Sequence, residues 1–106
     1  MQIDQFEDIL NAQIKRVQDV LVVKRNEYAD RDVLANFKRG AQLRRVGLPQ
    51  VVSGYMAKHT VSIYDMIESG KPYSMDQWDE KITDHINYLI LLKATLIENV
   101  EQPLES

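Results

Sequence analysis

Four carboxylates are the residues of this sequence best placed to do chemistry. Glu80 and Asp84 stand four apart in QWDEKITDHINYLILLKA, so on a helix they share a face within reach of one divalent cation. Glu27 and Asp30 form a second close pair at the end of the first helical stretch. Two such pairs brought together can hold Mg²⁺ through oxygen ligands, leaving positions for phosphate oxygens and an attacking water. The same pairs can equally form a solvated acidic stripe, since like charges at this spacing cost little when exposed. Asn87 adds an amide on the Glu80/Asp84 side, and Tyr88, Leu91 and Leu92 share or flank it. Apolar residues there lead us to expect a cover, either a ligand or another subunit.

Other candidates are weaker. His59 and His85 fall on or beside apolar helix faces, where a histidine is more often a packed residue with one hydrogen-bond partner. Two histidines without cysteine or an HExxH arrangement do not make a zinc enzyme. Lys58 and Lys71 can meet phosphate as point charges, but neither lies in a glycine-rich loop, and both phosphate-loop patterns are missing. Lys38, Arg39, Arg44 and Arg45, with Phe37, form a basic run. It can grip a single strand or a nucleotide, or serve as a solvated face that balances the acidic remainder.

Helices must position all of these. From Gln77 to Ala94 there is no Gly or Pro, and Trp78, Ile82, Ile86, Leu89 and Ile90 recur on one side of a helix. Glu80, Asp84, Asn87 and Leu91 follow the same period on the other side. At the N-terminus Ile3, Phe6, Leu10, Ile14, Val17, Leu21 and Tyr28 trace a first helical stripe, widened by Ile9 and Val20. The break at Tyr28 to Asp32 offers Asp30 or Asp32 as an N-cap for a short helix from Val33 to about Val46. Gly47-Leu48-Pro49 should stop it, and a third helix should run from Pro49 to Glu68, with Gly54 admitting a close backbone neighbour. After a turn at Ser69 to Pro72, Ser74 and Gln77 form a capping-box pattern opening a last helix to about Asn99. Pro103 closes a polar tail, about 101–106, that should fray. The expectation is an all-α single domain, 1–106: a helical bundle of three long helices and one short one that oligomerises.

Composition narrows the classes. A chain of 106 residues, 44% hydrophobic and 27% charged, is long enough for one modest core. A net charge of -3 argues against nonspecific binding of duplex nucleic acid. There is no cysteine, so disulfides and thiolate chemistry are excluded. No apolar run approaches the roughly 20 residues that span a bilayer, and MQIDQFED lacks the layout of a secretion signal. A cytoplasmic location without membrane partners is expected.

KRNEYADRDVLANF, GYMAKHTVSIYDMI and WDEKITDHINYLILLKA, in that order, resemble small phage and prophage proteins of the nucleotide-modification-associated, domain-of-unknown-function type. These are similar to MazG-like all-α nucleotide pyrophosphohydrolases. The resemblance spans Lys24 to Leu96. It implies an oligomeric helical bundle that handles nucleoside phosphates with Mg²⁺ on helix carboxylates. On that footing Glu80 and Asp84 are metal ligands, with Glu27 and Asp30 the facing pair. Lys58 would contact phosphate and Asn36 would order a loop or touch the base; Asn87, from the polar side of its own helix, is the further nucleotide-contact candidate. The second pair here is E-x-x-x-D where the MazG-like pattern has ExxD, and the first pair ends in Asp where that pattern has Glu. Three functions follow as expectations. The first is Mg²⁺-dependent nucleotide binding, with hydrolysis at the α–β phosphate bond as its extension. The second is a non-catalytic oligomeric interaction module, burying Tyr88, Leu91 and Leu92, that acts on a host or phage protein. The third is a single-strand-binding accessory protein using the basic run.

Overall fold

The computed structural model describes residues 1–27 and 32–101, with side chains described for 1–22 and 32–99. Four helices and no strand occur among them: α1 (Ile3–Glu27), α2 (Ala35–Arg44), α3 (Leu48–Ser69) and α4 (Met75–Glu101). The chain is all-α, with three long helices and one short one. No described helix is long and apolar enough to cross a membrane.

Local chemistry explains most of the boundaries. α4 opens on a complete capping box: the Ser74 N–H donates to Gln77 Oε1 at 2.9 Å and the Gln77 N–H to Ser74 Oγ at 3.2 Å. α3 ends at Gly70, in the left-handed region at φ 64°, with its N–H reaching the Ile67 carbonyl. Two details differ from expectation. The left-handed residue that ends α2 is Arg45 (φ 55°), while Gly47 has extended backbone and caps the start of α3. Gly47 therefore belongs to the helix that follows it, with Pro49 in that helix's first turn. Asp32 does not cap α2, because Leu34 occupies that position. Its carboxylate accepts from the Leu34 N–H at 2.9 Å, a turn that leads the chain into the helix. Asp30, the other candidate cap, lies outside the described residues.

α3 and α4 make the most extensive contact, with α2 resting on α3 and α1 on α4. Each neighbour is antiparallel. His59 and Thr60 of α3 meet Tyr88 and His85 of α4, and Gln13 and Arg16 of α1 meet Thr83 and Asp79. The close approach expected at Gly54 occurs instead at Gly40, where an added Cβ would lie 3.3 Å from the Val51 side chain. At Gly54 the nearest atom to such a Cβ is the end of the Arg44 side chain, 3.5 Å away.

Among the described residues the buried apolar set is small: Val17, Leu34, Val51, Val52 and Met66. α4 contributes a polar seam to it, with Thr83, Asn87 and Thr95 all buried. This rotates the helix relative to the sequence pattern, although Trp78 and Ile86 of the expected packing side are half-buried and Glu80 of the outer side is exposed. Ile82, Leu89 and Ile90, read as the packing side, are 37%, 47% and 42% exposed, while Asn87, read as the outer side, is 2% exposed. Thr95 enters the seam at low cost because its hydroxyl donates to the Leu92 carbonyl of its own helix at 2.7 Å. Thr83 accepts from the Gln13 side chain at 2.9 Å. The molecule is correspondingly open. Its radius of gyration is 16.4 Å, against about 13 Å for a compact domain of this length. Its accessible surface is 8349 Å², against about 6,100 Å² for a typical monomer of this mass.

Candidate functional site

Glu80 and Asp84 do share a groove. It lies between α1 and α4, has a volume of about 350 Å³, and is also lined by Asp19, Asp76, Asp79 and Arg16. The capping box starts α4 so that Asp76, Asp79, Glu80 and Asp84 turn towards α1, whose antiparallel run brings Arg16 and Asp19 to meet them. Two of these carboxylates already have cations: Arg16 lies 3.2 Å from Asp79 and Lys15 lies 2.9 Å from Asp19. Among the described residues no three His, Asp or Glu side chains converge as a metal cage.

Asp30 and the Glu27 side chain lie outside the described residues. The Gln13–Thr83 and Arg16–Asp79 register carries α1 past the start of α4, away from Asp84.

The three nucleotide-contact candidates occupy three separate places. Lys58 lines a groove of about 510 Å³ with Ser62, Asp65 and Tyr73, which shares no residue with the acidic groove. Asn36 is exposed in the first turn of α2. Asn87 is enclosed in the α4 seam, and among the described residues neither polar atom of its amide has a hydrogen-bond partner.

Tyr88, Leu91 and Leu92 are half-buried. The Tyr88 ring lies against His59 with centroids 4.8 Å apart, so this side of α4 already packs on α3. His85 Nε2 is 2.9 Å from the Thr60 hydroxyl. Both histidines therefore have partners in the α3–α4 seam, which suits packing roles.

The basic run is divided between tasks. Lys38 forms ion pairs with Asp32 at 2.5 Å and with Glu98 of α4, joining the start of α2 to the end of α4. The Lys38 hydrogen bond, and after it the Leu34 N–H, holds the Asp32 carboxyl below its ordinary range. Asp32, and after it Glu98, raises the Lys38 ammonium. Sequence reasoning missed this clamp because nothing in the local pattern marks Glu98 as a partner sixty residues away. Arg39, Arg44 and Arg45 remain exposed.

Many apolar residues are also left bare. On α4, Ile82, Leu89, Ile90, Leu96 and Ile97 are all exposed, and on α1 so are Ile3, Phe6, Ile9, Leu10 and Ile14. Further along α1, Gln13 and Arg16 contact α4 and Val17 is buried. No family model, curated protein or solved structure matches the chain.

Proposed function

We propose that the chain is a non-catalytic interaction module whose activity is to present apolar helix faces to a helical partner. The observation that carries this reading is the bare aliphatic strip on α4 together with the bare half of the α1 stripe. Scattered exposed apolar residues are ordinary, but a contiguous strip along four turns of helix is the usual mark of an interface. The Tyr88, Leu91 and Leu92 side is less available for this purpose, since it is partly occupied by α3.

A second reading, Mg²⁺-dependent nucleotide binding with pyrophosphohydrolysis as its extension, is favoured by one observation. Glu80 and Asp84 line a single groove with three further carboxylates. The resemblance to MazG-like proteins points the same way. A metal there would accept oxygen ligands from Glu80 and Asp84 and offer its remaining positions to phosphate.

Thermal unfolding against nucleoside mono-, di- and triphosphates, with and without Mg²⁺ or Mn²⁺, separates the two readings. The interaction module predicts no shift from any combination. A ligand at a hundred times its dissociation constant would add about 2.7 kcal/mol, several degrees for a domain of this size. A metal-dependent shift of that order would overturn the non-catalytic reading and favour the acidic groove.

A further inference from the structure

α2 is held in place from outside. It has ten residues, contributes no buried side chain, and starts without a side-chain cap. A helix that short, with Gly40 inside it, is marginal alone in water. Its neighbours must therefore keep it formed. On α3, Val51 lies against the α2 backbone, 3.3 Å from where a Cβ on Gly40 would stand, and the Phe37 ring meets Tyr55 edge-on at 5.8 Å. Towards α4 the attachment is Lys38. Among the described residues no α2 Cα comes within 8 Å of an α4 Cα. A groove of about 350 Å³ opens there, lined by Ala41 and Gln42 of α2 and by Glu98 and Asn99 of α4. Lys38 lines it too, and its ammonium pairs with Glu98 while also holding Asp32 at 2.5 Å.

We propose that α2 is a latch, closed by the Lys38 bridge between Asp32 and Glu98 and released by ionic strength, whose opening bares Val51 on α3. With the latch closed Val51 is 1% exposed. The three bridging side chains are between 25% and 38% exposed, so dissolved salt reaches and screens them. Ion pairs of this kind are individually weak, which favours closure without locking it. Opening leaves the rest of the fold in place, because α3 and α4 hold each other through His59–Tyr88 and Thr60–His85, and neither contact involves α2. The inference stands apart from the interaction-module reading and requires no partner.

Thiol labelling under native conditions tests the latch. The chain has no cysteine, so Val51→Cys reports on α2, and Thr95→Cys, enclosed at 0% exposure, reports on the rest of the fold. Lys38→Met keeps the unbranched stem and removes the charge. It should speed labelling at position 51 about threefold or more and leave position 95 unchanged. Glu98→Gln, which frees the α4 arm alone, should act in the same direction. Raising NaCl to about 1 M, where the Debye length is about 3 Å, should speed position 51 when Lys38 is present and not in Lys38→Met. Amide hydrogen exchange of α2 in the cysteine-free chain is the second measurement, independent of any change at Val51, and should follow the same order.

Unchanged labelling at 51 together with unchanged α2 exchange in Lys38→Met overturns the latch. Equal acceleration at 51 and 95 also overturns it, since the bridge would then support the whole fold rather than α2. A response to Lys38→Met without one to Glu98→Gln rejects closure onto α4 and leaves Lys38 as a local partner of Asp32.

Discussion

Replacing Asn87 by leucine stabilises the fold by about 2 kcal/mol or more, because each buried polar group without a partner costs about 1–3 kcal/mol. Asn87 carries two such atoms, its Nδ2 and its Oδ1, in a side chain that is 2% exposed. Leucine has the same number of side-chain heavy atoms, brings no polar atom, and has the better helix propensity. At about 4–8 °C per kcal/mol for a domain near 100 residues, the unfolding midpoint should rise by roughly 10 °C. The comparison is made at one fixed protein concentration, since association contributes to apparent stability. A fall in the midpoint would show that the amide is used, by a ligand or by a rearranged α1, and would revive Asn87 as a binding residue.

Val52→Asp produces the largest loss. Val52 is fully enclosed between helices, with Val51 beside it at 1% exposure. A carboxylate there has no described cation partner and must either remain charged in an apolar site or take up a proton. The expected cost is about 4 kcal/mol or more, a large share of the total for a small domain. Val61→Asp on the same helix is the control, since Val61 is exposed and should change stability by about 0.5 kcal/mol or less. Urea denaturation of both variants reads the difference. Equal destabilisation of the two would mean that α3 is rotated relative to the arrangement described.

Helix number, order and approximate ends were legible in the sequence, because they depend on local chemistry. Ser74 and Gln77 announce the start of α4, and Gly70 announces the end of α3. The rotation of α4 was not legible. Between Ile86 and Leu92 the helix carries apolar residues on nearly every side, so periodicity leaves open which arc meets α3. The inward arc is the one holding Thr83, Asn87 and Thr95, whose compact side chains suit a close helix contact. The hydroxyls of Thr83 and Thr95 find partners in Gln13 and Leu92, and no rule of spacing foretells either bond.

The candidate site was legible in part for the same reason. Glu80 and Asp84 are four apart on one helix and do share a groove. The company they keep there, Asp19, Asp76 and Asp79 with Arg16, follows from the tertiary register of α1 on α4. Lys58, Asn36 and Asn87 were grouped by resemblance, and the packing separates them.

The orientation of α4 is the claim on which the interface depends, and thiol labelling tests it most directly. The chain has no cysteine, so Leu89→Cys and Thr95→Cys each introduce a single reporter. The thiol at 89 should react with maleimide at close to the rate of an unfolded control. The thiol at 95 should stay slow throughout, since Thr95 is enclosed within one chain. A fast thiol at 95, with the thiol at 89 protected at every dilution, would place the aliphatic face inside the single chain and contradict the account.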